Sequence, residues 1–225
     1  MKKLSNGIVL LLISFHMVSC TKSNESIISS TDSQPSSVTK VPNFNESNST
    51  KITWDQLPEK LRNATPLSAS TIEAGTGKGG PSLRSYYGYS VGPWGGARGS
   101  SFSITPPTGS RIYAIAIRSG AVIDRLTIWY ITETGTIYLG LDNGGNGGSY
   151  YLHYFSYDEY IYYVFGRSGG YVDHLSFYTN KKSFSYGGSG GSPFAVGVSN
   201  NNQILGFYGA SGTLLDRIGF YVYNR

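Results

Sequence analysis

The sequence predicts an all-β domain in which three four-stranded repeats close about a pseudo-threefold axis. Three observations point there. All 19 tyrosines and 25 of the 30 glycines lie between positions 86 and 225. That region is poor in Ala, Leu, Glu and Lys and rich in Tyr, Ile, Thr and Gly, which favours strands and turns over helices. Two unrelated motifs also recur three times in one register within it. Composition excludes other classes. A single Cys forms no internal disulfide framework. The glycines lack the three-residue period of collagen, and a chain that is 14% aromatic has apolar area to bury.

In chain order, Lys2 and Lys3 precede the apolar run Ile8-Val9-Leu10-Leu11-Leu12-Ile13. The run is too short to span a bilayer and reads as the core of a signal peptide over residues 1–19. It ends at Met17-Val18-Ser19-Cys20, the only cysteine. This resembles the bacterial lipoprotein signal, in which a small residue precedes a Cys that is lipidated. Met17 stands where Leu is usual. The resemblance implies a chain anchored through Cys20 in a bacterial cell envelope, its face and leaflet left open.

Residues 20–85 read as a flexible tether, since Ser, Thr, Asn and Lys dominate its first thirty positions and cannot bury a core. Within it, Thr53-Trp54-Asp55-Gln56 has capping-box spacing, and Trp54, Leu57 and Leu61 share one helical face. A short helix over 53–63 is therefore expected, packed on the domain. The sequons at Asn45, Asn48 and Asn63 carry no weight in a bacterial chain. Gly75, Gly77 and Gly80 match the dinucleotide fingerprint without the strand and helix it needs, so they read as linker.

The formal charge of +5 falls to +3 once the signal lysines leave, and to +2 within 86–225. Basic residues there are scattered singly except Lys181-Lys182. No nucleic-acid footprint results.

The domain proper, 86–225, carries the repeat. Arg118-Ser119-Gly120-Ala121-Val122-Ile123-Asp124 aligns with Arg167-Ser168-Gly169-Gly170-Tyr171-Val172-Asp173 and Ala210-Ser211-Gly212-Thr213-Leu214-Leu215-Asp216. The aspartates are 49 and 43 residues apart. Gly95-Gly96-Ala97-Arg98-Gly99, Gly144-Gly145-Asn146-Gly147-Gly148 and Gly187-Gly188-Ser189-Gly190-Gly191 keep the same spacings of 49 and 43. In the first repeat the candidate strands lie near 100–104, 112–117, 126–131 and 136–139. The second and fourth residues after each Asp are apolar (Leu126/Ile128, Leu175/Phe177, Ile218/Phe220) and point to the core. The first and fifth (Arg125/Trp129, His174/Tyr178, Arg217/Tyr221) share the opposite face.

Twelve strands in three sheets fit a β-prism or a β-trefoil. Trefoil lectins carry Gln-x-Trp in each repeat, and none of Gln34, Gln56 and Gln203 has Trp two places later. A prism is expected.

Gly92-Pro93-Trp94-Gly95-Gly96 and the closing Gly206-Phe207-Tyr208-Gly209-Ala210-Ser211-Gly212 leading to Asp216 resemble the jacalin-related lectins. The stretch from Arg167 to Ser192 is similar to the mannose-binding type, whose members include one with three such sites. The resemblance covers residues 90–225. It implies a β-prism I fold of three Greek-key sheets, and carbohydrate binding without catalysis, cofactor or metal. It further implies that each Gly-x-x-x-Asp loop holds one hexose and that a glycine of a second Gly-rich loop completes the pocket. Carried over, the sites are Gly120, Val122 and Asp124 with Gly148; Gly169, Tyr171 and Asp173 with Gly191; and Gly212, Leu214 and Asp216 with Gly99. Galactose-preferring members have a free amino terminus at the first Gly-rich loop. Residues run continuously into it here, which favours mannose- or glucose-type glycans or glycoproteins as partners. The oligomeric state is left open.

The residue types suit that chemistry. An ionised Asp accepts two sugar hydroxyls through charge-assisted hydrogen bonds. Gly four residues earlier lets successive amides converge, and the Gly-rich loops bring backbone close to a ligand. Tyr171 offers a ring to the sugar, where Val122 and Leu214 offer aliphatic surface. Arg98 either crowds the Asp216 site or adds a contact.

Enzyme readings are weaker. Gly187-Gly188-Ser189-Gly190-Gly191 matches the nucleophile elbow only formally, since no strand-turn-helix surrounds it and Ala97 and Asn146 replace Ser189 in the other repeats. His174 reads as a residue exposed at the pocket rim, and His153 has no evident partner. No pair of acids suggests glycoside hydrolysis. A protein-interaction prism with degenerate sugar sites is the alternative, prompted by the tyrosines crowding 150–163.

Overall fold

The computed structural model describes residues 50–67 and 87–225. The expected signal peptide, Cys20 and most of the tether lie outside the described residues. Those that are described belong to one unit, Pro42–Arg225.

Twelve strands follow residue 86: β3 (Tyr87–Gly95), β4 (Ser100–Ile104), β5 (Arg111–Ser119), β6 (Ile123–Ile131), β7 (Ile137–Gly144), β8 (Ser149–Tyr154), β9 (Ile161–Ser168), β10 (Val172–Thr179), β11 (Ser183–Gly187), β12 (Ser192–Gly197), β13 (Asn202–Ser211) and β14 (Leu215–Asn224). They form three antiparallel four-stranded groups, β8-β5-β6-β7, β12-β9-β10-β11 and β4-β13-β14-β3. In each, the fourth strand returns beside the first, the Greek-key order. The last group is assembled from both ends of the domain: β13 and β14 supply its first two strands, β3 and β4 the others. The prism of three Greek-key sheets expected from the sequence is what these strands build.

The inward positions are the predicted ones. Leu126, Ile128, Leu175, Phe177, Ile218 and Phe220 are all fully buried in a single apolar cluster. Aromatic edges meet in this core: Phe207 contacts Phe220 of its own sheet at 5.8 Å and Phe177 of a second sheet at 6.5 Å between ring centroids. Strand β3 is absent from the sequence expectation, because Gly88, Gly92 and Pro93 interrupt its pattern.

The outer face of the β8-β5-β6-β7 sheet is covered by the chain before the prism. Strand β1 (Thr50–Ile52) pairs antiparallel with β8, and β2 (Thr65–Pro66) pairs parallel with β7. The strap between them places Leu57 and Leu61, each 1% exposed, on Ala114, Ala116, Trp129, Tyr150 and Leu152. The Trp129 indole N–H donates to the Leu61 carbonyl at 3.0 Å. Trp129 thus lies on the predicted outer face yet is fully buried. At roughly 2 kcal/mol per buried Leu side chain, the two leucines contribute a substantial part of the strap's docking.

The expected helix over 53–63 is replaced by a 3-10 turn (Trp54–Gln56) and a single α-helical turn, α1 (Glu59–Arg62). Pro58 is the reason. The residue before a proline avoids helical backbone, and Leu57 is extended at φ −64° and ψ 129°. Of the capping box, the Thr53 N–H donates to Gln56 Oε1 at 2.8 Å. Leu57 and Leu61 still reach the same sheet, while Trp54 remains 45% exposed.

Candidate functional site

Each Gly-x-x-x-Asp segment is the turn of a β-hairpin, joining β5 to β6, β9 to β10 and β13 to β14. In each turn the leading glycine's N–H donates two residues onward: Gly120 to the Val122 carbonyl (3.1 Å), Gly169 to Tyr171 (2.9 Å) and Gly212 to Leu214 (3.0 Å). The aspartate follows as the second residue of β6, β10 and β14. Its carboxylate lies beside one of the Gly-rich loops.

Those loops join β3 to β4, β7 to β8 and β11 to β12. A backbone hydrogen bond of 2.8 Å fixes each one beside an aspartate: Gly145 N–H to Asp124 O, Gly188 N–H to Asp173 O, and Gly96 N–H to Asp216 O. The final glycines have left-handed backbone, φ +62° at Gly148, +64° at Gly191 and +79° at Gly99. A Cβ there would lie 2.6 Å from Asp124 Oδ2, 2.5 Å from Asp173 Oδ2 and 2.4 Å from Asp216 Oδ2. Glycine is required twice over, by conformation and by the carboxylate beside it.

The structure therefore brings together Asp124 with Gly148, Asp173 with Gly191 and Asp216 with Gly99. Gly120, Gly169 and Gly212 are exposed at the mouths, with Val122, Tyr171 and Leu214 partly exposed next to them. Asp124 and Asp216 are buried at 8% and 4% exposure, and Asp173 is half-buried. Burial raises the Asp124 carboxyl pKa above its ordinary value, with the Gly120 amide and the Arg118 guanidinium working against it.

Arginines brace the loops. Arg125 donates from Nε to Gly145 O (2.9 Å) and from Nη2 to Gly144 O (2.8 Å), while Nη1 pairs with Asp142 at 2.7 Å. Arg167 donates to Gly190 O (2.8 Å) and Gly191 O (2.7 Å). The second glycine of each loop packs against a different Asp turn. A Cβ on Gly96 would lie 2.2 Å from Gly170 O, on Gly145 2.1 Å from Thr213 O, and on Gly188 2.4 Å from Ala121 O. The three sites are consequently neighbours in a closed ring at one end of the prism. Sequence reasoning missed these contacts between loops and turns and the arginine braces, for which Arg125 after Asp124 and Arg167 before Ser168-Gly169 were the available signals.

Both histidines differ from expectation. His174 is half-buried and its Nε2 bonds with Ser176 Oγ and Ser185 Oγ, both at 2.9 Å. It joins β10 to β11 through these serines rather than standing exposed at the rim, and burial lowers its pKa. His153 has a partner, Tyr186 Oη at 2.8 Å, and stacks on Phe184. Most tyrosines of 150–163 are also engaged: Tyr151 stacks on Tyr186, Tyr154 meets Tyr113 edge-on, and Arg225 lies over Tyr160. Tyr157 is 81% exposed. No three His, Cys, Asp or Glu side chains among the described residues are grouped to hold a metal ion.

Residues 91–221 match the family model of the jacalin-like lectin domain. Among solved structures, a mannose-binding jacalin-related lectin from Ananas comosus is 31% identical, with a TM-score of 0.56 over 61% of this chain and 98% of its own. The lectin of Malaysian banana is 31% identical, with a TM-score of 0.55 over 61% and 99%. A mannose-specific jacalin-related lectin from Morus nigra, solved with mannose, is 30% identical, with a TM-score of 0.55 over 60% and 94%. No curated protein matches the chain.

Proposed function

The chain belongs to the jacalin-like lectin domain family, and from that premise we propose that it is a membrane-anchored, non-enzymatic protein that binds mannose- or glucose-type glycans at up to three sites. One observation carries the reading. In all three repeats an aspartate carboxylate is held against an exposed glycine of a second loop, so close that a Cβ there would sit within 2.6 Å of the acid. The mannose-binding character of structural neighbours at 30–31% identity supports the sugar class.

In this reading Asp124, Asp173 and Asp216 each accept two hydroxyl hydrogen bonds from a hexose, and amides of the same turn add polar contacts. Gly148, Gly191 and Gly99 let the sugar approach backbone. The Tyr171 ring lies against a C–H face in the middle site, and Val122 and Leu214 supply aliphatic contact in the others. A single sugar binds with Kd on the order of a millimolar, about 4 kcal/mol. Neighbouring sites in one ring raise the avidity for branched glycans. Lipidation of Cys20 holds the chain at a bacterial membrane, acyl chains contributing roughly 0.8 kcal/mol per buried methylene.

Glycan-array binding of the chain, of Asp173→Ala and of the variant lacking all three carboxylates tests the lectin reading. Graded loss supports it. Full binding by the triple variant refutes it. Release of labelled fatty acid from the wild type but not from Cys20→Ser tests the anchor.

A further inference from the structure

The three Gly-rich loops differ at their fourth position, where Gly147 and Gly190 are matched by Arg98. The two glycines are crowded: a Cβ would lie 2.2 Å from Asp124 Oδ1 and 2.5 Å from Asp173 Oδ1. At Arg98 the chain instead carries an exposed side chain, and that side chain reaches beyond its own site. Its Nη1 donates to Tyr171 Oη at 3.5 Å. Tyr171 belongs to the Asp173 turn, and Gly96 of the Arg98 loop abuts Gly170 of the same turn. One guanidinium therefore spans the seam between the Asp216–Gly99 and Asp173–Gly191 sites.

Of the other arginines at this end, Arg118 lies over the Tyr150 ring and three are committed to hydrogen bonds. Arg125 is held by Asp142, Gly144 and Gly145, Arg167 by Gly190 and Gly191, and Arg217 donates to Ser101. No carboxylate among the described residues forms a salt bridge with Arg98. Its single long hydrogen bond leaves most of a rigid five-donor fork unused, and that fork matches carboxylate and phosphate oxygens in pairs. The aspartates on either side repel an anion from the sugar positions they hold, so the charge that Arg98 accepts is a substituent projecting over the seam.

We propose that Arg98 determines specificity, selecting hexose glycans that carry an anionic substituent, a phosphate or a carboxylate, at the junction of these two sites. This rests on the sugar-binding reading above. The test is titration calorimetry of the full chain with methyl α-mannoside, mannose 6-phosphate and mannuronic acid. The charged sugars are expected to bind roughly tenfold tighter than the neutral one, and the advantage to shrink in high salt. Arg98→Gly, which installs the residue found in the other loops, is expected to abolish the advantage. Arg98→Lys, charged but without the fork, keeps only part of it. An advantage confined to one charged sugar supports the proposal and identifies the substituent. Equal binding of all three by the wild type, or an advantage that survives Arg98→Gly, overturns the proposal and leaves the lectin reading standing. Failure to bind any of the three sinks that reading, and this inference with it.

Discussion

Acidification to pH 5 should weaken the prism through His153, a residue outside the proposed sugar contacts. Its ring is 4% exposed on β8, stacked on Phe184 of β11 at 4.0 Å and 11° and bonded to Tyr186 of the same strand. It joins two sheets, and it does so neutral: burial, with the Lys182 charge second, lowers its pKa to about 4. In the unfolded chain the value is about 6.5. Between the two, the unfolded state binds the extra proton, so stability falls as pH falls. Each unit costs about 1.4 kcal/mol, so moving from 6.5 to 5 costs about 2 kcal/mol, and the full interval about 3. Asp124 acts oppositely, because a raised carboxyl pKa lets the folded state take up a proton more readily. That contribution cancels when wild type is compared with His153→Gln, which keeps a polar group near Tyr186 but does not titrate. Urea unfolding followed by tryptophan fluorescence at pH 7 and pH 5 reads the difference. The wild type should lose about 2 kcal/mol more than the variant. Equal losses would show that His153 protonates without cost and would refute the argument.

Three further outcomes follow from the same geometry. Gly191→Ala puts a Cβ 2.5 Å from Asp173 Oδ2 and 2.4 Å from the Ser168 carbonyl carbon, at a φ of +64°. It should lower the melting temperature and cut glycan binding at the Asp173 site at least tenfold, both read from one preparation by calorimetry. Leu61→Ala should cost about 2–5 kcal/mol and expose Trp129, visible as a red shift of tryptophan emission; an unshifted spectrum would mean that the strap does not hold the indole. In the proposed mode of binding, Asp124 holds the sugar as the ionised acid. In a variant retaining only that site, affinity should fall as pH drops through the raised carboxyl pKa, and a flat profile across the carboxylate range would contradict the role given to it.

The repeat made most of the fold legible. Leu126/Ile128, Leu175/Phe177 and Ile218/Phe220 alternate with outward residues, and alternation on a pleated strand is local information. What escaped was tertiary. Trp129 sits in an outward position, and only the strap explains why so large a ring is tolerated there. That strap is polar apart from a few residues, and Pro58 obscures its helical spacing. The pairing of Asp124 with Gly148, Asp173 with Gly191 and Asp216 with Gly99 was implied by the resemblance to the jacalin-related lectins, whose connectivity it carries over. The wedging of Gly96, Gly145 and Gly188 against turns of other repeats was not, since it depends on how the sheets meet. The reach of Arg98 to Tyr171 spans 73 residues of sequence and lies beyond any local pattern.

The three carboxylates carry the proposed binding. Titration calorimetry of a mannose-type oligosaccharide into the full chain, set against Asp124→Ala/Asp173→Ala/Asp216→Ala of matched circular dichroism, measures their role directly. Saturable binding by the wild type that vanishes in the triple variant is the predicted result. No binding by the wild type, or undiminished binding by the variant, would contradict it.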